Sequence, residues 1–524
     1  MCQSGPGTFF KGGTVILEVQ SRIDALAAKL KTQTQNKEPI DPDEMRELFA
    51  LRKKRDELLA DPGEAAQLPA ASNGNGAERG ATVLEPEEAI ISPDQTEDAL
   101  ALEFTAKHAL DWRYVAAWGD WLKWSGPQWK KENTLHVFDR IRRICRQAAE
   151  SSDKPKTKSY SASTVAGVER LARSDRRHAT TPEAWDLDPW LLNTPGGIVD
   201  LRTGRMEAHK REYYMTKISV GDAARPARPD KWLAFLKDVT AEDPELQGYL
   251  ARVAGYALTG STDEHALFFF YGTGANGKSV FLNTLSAVMG DYAANAPMET
   301  FMESRTDRHP TDLAALRGAR AVVAMEVENG RRWAESKIKA LVGGDKISAR
   351  FMRQDFFEYR PQFKLLIAGN HKPGLRDVDE AMRRRLHLIP FTVTIPPEKR
   401  NKQLGKELLE EKDAILAWAI AGCLDWQARG LLPPKAVLSA TDEYFEAEDT
   451  LQRWIDEECT TDANDTATSA DLFKSWQTWA ENAGEYIMPL KRFSESLIQR
   501  GFNRYTIGSQ RLKGFRGIAL KSKF

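Results

Sequence analysis

The stretch FFFYGTGANGKS, Phe268 to Ser279, sets the fold. The apolar run Ala266 to Tyr271 reads as a buried strand. It passes into Gly272-Thr273-Gly274-Ala275-Asn276-Gly277-Lys278-Ser279, which meets G-x-x-x-x-G-K-[ST] at every fixed position. Val280, Phe281, Leu282, Leu285, Val288 and Met289 then recur at helical spacing and stop at Gly290. Strand, glycine loop and helix form the context in which such a loop folds its N–H groups around phosphate oxygens. Gly272, Gly274 and Gly277 permit the tight backbone, and the helix N-terminus adds partial positive charge. Lys278 is expected to reach the β- and γ-phosphates of ATP, and Ser279 to offer a hydroxyl to Mg²⁺. The alternative, a glycine-rich turn that binds nothing, fits poorly with a strand and a helix on either side.

Working outward, three further segments supply what a phosphate loop lacks. Arg320 to Glu328, RAVVAMEVE, is an apolar strand ending in two carboxylates. Alternation along an extended chain puts Glu326 and Glu328 on one face, one to hold Mg²⁺ and the other to polarise a water. Phe363 to Asn370 is another apolar strand, and its terminal amide suits a γ-phosphate or the attacking water. Asp379 to Leu386 sets Arg383, Arg384 and Arg385 before the apolar strand His387–Phe391. An arginine there could serve the nucleotide of a neighbouring subunit, which requires a ring; a structural basic cluster is the plainer reading. Gly343 to Asp355 alternates like a hairpin, with Lys346, Arg350 and Arg353 placed to grip a nucleic-acid backbone.

The 524 residues suggest about three domains, and 41% hydrophobic with 28% charged residues is ordinary for a globular chain. No apolar run of ~18 residues marks a membrane span, and the N-terminus lacks a secretory pattern. Cys2, Cys145, Cys423 and Cys459 are scattered without metal spacing, which points to a reducing, cytoplasmic setting. Residues 1–60 read as a helical hairpin or coiled-coil segment, and 61–91 as a flexible linker rich in Gly, Ala, Pro and Asn. Residues 92–230 carry Trp112, Trp118, Trp121, Trp124, Trp129, Trp185 and Trp190. These fit a small core better than a base-stacking face. Residues 135–149 and 163–172 read as helices flanking a Lys-rich loop at 152–158, and Trp232–Leu258 reads as a helical bridge into the glycine-loop strand.

Net charge is −1, yet it is unevenly spread. Thr441 to Cys459 holds eight acids against Arg453 alone. Lys491 to Phe524 holds Lys491, Arg492, Arg500, Arg504, Arg511, Lys513, Arg516, Lys521 and Lys523 against Glu495. A basic tail with helices at 470–482 and 490–500 and strands near 501–507 and 513–520 suggests a winged-helix DNA-binding module; a solvated basic end is the alternative.

The order of segments resembles superfamily 3 helicases, and within them the phage and plasmid primase–helicases, with the poxvirus primase–helicase as a relative. The resemblance rests on GTGANGKS, the E-x-E strand, the basic hairpin, IAGNHKP and MRRRLHLIPF, with weaker flanks DWRYVAAWGDW and LLNTPGGIVDL. It implies an α/β chain: an AAA+-like P-loop ATPase over 231–440, preceded by an α+β aromatic-rich domain and followed by a winged-helix-like domain over 441–524. It implies ATP and Mg²⁺ at Lys278, Ser279 and Glu326, Asn370 as sensor, and Arg384, with Arg385 second, as the arginine acting in trans. It further implies a ring, expected to be a hexamer, on single-stranded or forked DNA in a bacterial host cytoplasm, working with a separate primase or other replication proteins. Long family members carry a primase ahead of this block. The first 90 residues here contain no zinc-ribbon cysteines and no polymerase-type acidic triad, so priming is not expected. The competing reading is an ATP-regulated replication initiator or loader without processive unwinding.

Overall fold

Four apolar runs and the short edge segment Ala293–Asn295 pair side by side as parallel strands, and near-continuous hydrophobicity is what a sheet covered on both faces requires. They are β1 (Leu267–Tyr271), β2 (Ala293–Asn295), β3 (Ala321–Met325), β4 (Lys364–Gly369) and β5 (Leu386–Pro390). Their spatial order is β5-β1-β4-β3-β2, all parallel. The computed structural model describes residues 96–150, 161–225, 228–304, 311–326, 330–353, 355–375, 379–507 and 511–521. The expected helical hairpin 1–60, the linker 61–91, the loop 152–158 and Glu328 lie outside the described residues.

The pleat sorts side chains between two cores. Phe268, Phe270, Val323, Leu366 and Ile389 face one layer, with the helices Asp230–Val239, Pro244–Leu258, Lys278–Met289 and Lys412–Arg429. Leu267, Phe269, Val322, Leu365 and Leu388 face the other, with Glu335–Val342 and Lys435–Glu448. Glycine lets two helices of the first layer touch. A Cβ on Gly255 would fall 2.0 Å from the Cys423 nitrogen, and one on Gly422 2.0 Å from the Ala251 carbonyl oxygen.

The N-terminal ends of β3 and β4 are anchored by two buried cations. Arg320 donates to Leu258 O at 2.8 Å and to Leu191 O at 2.8 Å, and lies over the Tyr292 ring. Lys364 donates to Thr259 O and to Ser261 O, the latter at 3.1 Å. The Leu258, Thr259 and Ser261 carbonyls lie at or just past the C-terminal end of the helix Pro244–Leu258, where partial negative charge favours cations, and Leu191 O belongs to the strand Leu191–Thr194. Burial pushes both pKa values down, that of Lys364 strongly.

Before this layer lies the aromatic segment. Its sheet runs 129–131, 120–124, 112–115, 179–180, backed by the helices Glu97–His108, His136–Glu150 and Ala162–Ser174. Trp112, Trp121, Trp129 and Trp185 are buried, Trp124 and Trp190 are partly buried and Trp118 is exposed, so most of these tryptophans build cores as expected. A second sheet, entirely antiparallel, is built from Leu191–Thr194, Gly197–Asp200 and Arg205–Glu207. After the central sheet, the helices Thr450–Glu458, Ser469–Ala483 and Leu490–Gln499 pack on a sheet of Thr466–Thr468, Leu512–Arg516 and Asn503–Ile507.

Three expectations are corrected. The bridge Trp232–Leu258 is two helices, because Ala241 and Glu242 turn left-handed at φ 52° and 62° and Asp243 caps a new helix that starts at Pro244. The hairpin pairs Ile347–Ala349 with Phe357–Tyr359, so its second strand lies beyond Asp355. The last tail strand ends at Arg516, and Ala519–Leu520 pairs instead with Cys459–Thr460. No helix among the described residues is long and apolar enough to cross a membrane.

Gly255→Ala should lower the urea midpoint by the equivalent of about 3 kcal/mol without altering the slope. An unchanged midpoint would show that the helices do not cross so closely. The buried His387, bonded to Tyr249 at 2.7 Å, has its pKa lowered by burial from 6.5 to about 4. The unfolded imidazole takes up its proton first, so stability should fall as pH drops from 6.5 to about 4. His387→Phe should flatten part of that slope, and a parallel pH profile for the two proteins would refute the assignment.

Candidate functional site

All five strands point the same way, so their C-terminal ends gather one set of loops, the place where open parallel sheets hold ligands. The loop 272–277 leaves β1 there. Gly274 and Gly277 have φ of +105° and +85°, and Ala275 has +50°. Gly272 has no room for a side chain: a Cβ would lie 2.1 Å from Phe391 O. Gly277 caps the helix Lys278–Met289 without a side-chain hydrogen bond, which leaves the first backbone N–H groups facing the loop.

Lys278 is buried, with 5% of its surface exposed. Its Nζ donates to Gly272 O at 2.8 Å, Asn276 Oδ1 at 3.0 Å and Asn370 Oδ1 at 3.2 Å. All three partners are neutral, and burial lowers its pKa. A buried ammonium satisfied only by dipoles is a strong attractor for an anion. Asn370 arrives because Gly369 pairs with Tyr271 across β4 and β1. The loop and the Asn370 amide thus meet on one nitrogen.

Asn276 has a second task. Its Nδ2 donates to Phe391 O at 2.9 Å. Phe391 N donates to Tyr271 O at 2.8 Å, and Ile395 N to Ala275 O at 2.9 Å. The segment that continues β5 therefore straps the glycine loop along its side. Sequence inspection placed Asn276 in the loop but missed this strap; a polar side chain amid glycines was the available signal. It also missed Lys372, whose ammonium sits 4.2 Å from the Tyr271 ring centre, with its pKa lowered by burial.

Thr273, Ala275 and Ser279 are exposed. Glu326 is exposed too, but β3 ends at Met325 and Glu326 has φ +67°. Such a left-handed non-glycine residue interrupts the extended chain, so strand alternation no longer relates Glu326 to Glu328. Among the described residues no group of three or more His, Cys, Asp or Glu side chains forms a metal cluster. Ser279 and Glu326 are hard oxygen donors open to solvent, which fits an Mg²⁺ that keeps phosphate and water ligands.

The arginines stand apart. Leu386 pairs with Leu267 and Pro390 with Tyr271, so Arg384 and Arg385 lie at the end of the sheet opposite the glycine loop. Arg383 bonds Asp442 at 3.3 Å, and Arg385 is half-buried and donates to Ala381 O at 2.7 Å. Arg384 is exposed and makes no side-chain hydrogen bond or ion pair among the described residues. Neither Arg384 nor Arg385 is brought to the loop of its own chain. In the hairpin, Lys346 pairs with Glu358 at 2.8 Å and Arg350 lies 4.5 Å from the Phe356 ring centre. Arg353, with φ +60°, is exposed at the tip beside the exposed Phe351 and Met352.

Known proteins resemble parts of this chain. Residues 101–241 match the family described as "D5 N terminal like", and residues 270–385 match a family of unknown function, DUF5906. The chain is 26% identical over 273 residues to the protein named "Putative helicase 022R" of Frog virus 3, covering 48% of this chain and 28% of that protein. It is 26% identical over 240 residues to "Putative helicase L207/L206" of Acanthamoeba polyphaga mimivirus, covering 42% and 25%. It is 21% identical over 332 residues to "Putative primase C962R" of African swine fever virus, covering 58% and 34%. The chain thus spans only about a quarter to a third of these relatives. Among solved structures, the apo NrS-1 C-terminal region aligns with 81% of this chain and 100% of its own, at 11% identity and a TM-score of 0.45.

The strap can be tested by substitution. Asn276→Ala loses an acceptor for Lys278 and a donor to Phe391 O, and should cost about 1–3 kcal/mol in denaturant unfolding. Asn276→Asp keeps the acceptor but sets a carboxylate against the Phe391 carbonyl, and should also fall below wild type. Full wild-type stability in Asn276→Asp would remove the strap.

Proposed function

The chain is a member of the phage and viral primase–helicase family, and from that premise we propose that it is an ATP-driven motor that unwinds DNA during replication. One observation carries the reading: a buried Lys278 held by neutral oxygens from the loop and from Asn370, at the C-terminal end of a parallel sheet. In this reading 231–440 is an AAA+-like P-loop motor, 92–230 its aromatic-rich partner, and 441–524 a winged-helix-like DNA-binding module.

The loop N–H groups and the helix N-terminus hold the triphosphate of ATP. Lys278 exchanges its neutral partners for the β- and γ-phosphates, which frees the Asn370 amide to orient the attacking water. Glu326, and Glu328 beyond it, supply the carboxylates that hold a metal-bound water shell and accept a proton. Mg²⁺, when bound through Ser279 and the phosphates, neutralises charge developing on the phosphoryl group. Arg384, exposed and remote from its own loop, serves the nucleotide of the next subunit, so the active form is a ring of identical chains. The Arg353 hairpin tip follows the DNA strand through that ring.

The initiator or loader reading keeps one supporting observation. Lys346 and Arg350 are engaged within the hairpin, which leaves less charge there for a DNA backbone. Strand displacement on forked DNA separates the two readings: an unwinding motor releases the strand, a loader does not.

Lys278→Ala and Arg384→Ala should each cut ATP turnover by about 10²–10³-fold. Mixed together, they should regain activity, because an intact loop then meets an intact Arg384 across one seam. Failure of the mixture to recover would reject the trans arrangement. Arg353→Ala should retain most ATP turnover and lose unwinding.

A further inference from the structure

We propose that the C-terminal module meets nucleic acid through its strand pair, Asn503–Ile507 and Leu512–Arg516, and not through the helix Leu490–Gln499. The proposal rests on the DNA-directed reading above for the class of partner, and on the fate of each basic residue in the tail for the surface.

Helix–strand–strand modules commonly read DNA by laying the final helix in the major groove. Here the buried side of that helix is apolar, Phe493 and Leu497, and its polar side borders a cleft within the chain. Lys491, Arg492 and Glu495 line a cavity of about 490 Å³, whose other wall includes Asp379, Glu448 and Asp449. Arg500, at the end of the same helix, is ion-paired with Asp449 at 2.5 Å. A groove of the duplex about 12 Å wide needs that face clear, and the facing carboxylates would repel its phosphates.

Other tail cations are engaged as well. Arg516 donates to Ala463 O at 3.1 Å and Asn464 Oδ1 at 3.2 Å. Lys521 donates to Asp456 O at 2.6 Å and Glu457 O at 3.1 Å. Arg504, Arg511 and Lys513 are different: all are exposed, and none makes a side-chain hydrogen bond or ion pair among the described residues. All three sit on the strand pair or at its turn. Arg504 opposes Phe515 and Lys513 opposes Thr506, so Arg504 and Lys513 are diagonal neighbours on one face. Like charges so placed repel unless an anion joins them.

The surroundings favour a polyanion. From Asn503 to Lys521 the sequence contains no acidic residue. Asn503–Ile507 is the outer strand of its sheet, so its outward backbone N–H groups are available to phosphate oxygens. Tyr505 is exposed on the opposite face of the pair and offers a ring on which a base can stack. Charged residues also guard sheet edges against other strands, so a second protein strand is the competing occupant.

The test is fluorescence anisotropy of the full chain with labelled duplex and single-stranded oligonucleotides, without ATP. The variant Arg504→Ala/Arg511→Ala/Lys513→Ala should bind at least tenfold more weakly at moderate salt. Its slope of log affinity against log salt should shrink by about 2–3, as expected for the loss of three phosphate contacts. Arg504→Lys/Arg511→Lys/Lys513→Arg should restore binding, which separates charge from folding. Lys491→Ala/Gln499→Ala should stay within twofold of wild type. The assay contains no ATP, so a failed motor reading leaves this measurement intact. The proposal is overturned if the helix variant loses binding and the strand variant does not. Unchanged DNA affinity with altered self-association in the strand variant overturns it too, and assigns these cations to edge protection.

Discussion

A buried ammonium group with only neutral oxygens around it is the constraint on which this structure turns. Lys278 cannot be held at the mouth of a sheet unless several dipoles converge on it, because an unsolvated charge is costly. The convergence needs Gly272 O and Asn276 Oδ1 from the loop and Asn370 Oδ1 from β4. The parallel register of β1 and β4 provides the last of these, and the strap from Phe391 to Ile395 fixes the other two. Packing of Phe268, Phe270 and Phe281 behind the loop is thereby tied to the electrostatics in front of it.

The two ends of the sheet treat positive charge in opposite ways. At the C-terminal end Lys278 is poised on exchangeable partners. At the N-terminal end Arg320 and Lys364 are locked onto helix-terminal carbonyls, where they join the aromatic segment, the helix Pro244–Leu258 and the sheet into one body. Arg385 is similarly committed, while Arg384 beside it is not. The same residue type is structural or available according to whether a carbonyl lies within reach. The tail repeats the pattern: Arg500, Arg516 and Lys521 hold the module together, and Arg504, Arg511 and Lys513 remain outward.

Much of the central architecture was legible because apolar runs, glycine loops and helical spacing are local signals. The strand before the loop, the helix after it and the strand leading to Asn370 all appear where periodicity puts them. The tryptophan-rich segment also forms cores, since rings so closely spaced find one another across short strands. Two departures from expectation depend on local backbone torsions. Ala241 and Glu242 break one helix into two, and Glu326 turns out of its strand; nothing in those residue types announces a positive φ.

Unaided, the chain's linear order determines the glycine-loop turn of Gly272 to Ser279 and the identity of the strands around it, because a few neighbouring residues decide backbone curvature and which face is apolar. Only the tertiary structure decides which polar groups are already engaged. Lys278 is found with Asn370, Asn276 with Phe391, Lys346 with Glu358 and Arg500 with Asp449, while Arg384 and Arg504 have no side-chain hydrogen bond or ion pair among the described residues. The physical reason is that a side chain's hydrogen-bond partners come from segments far away in the chain, brought close by strand register and helix packing that no local pattern encodes.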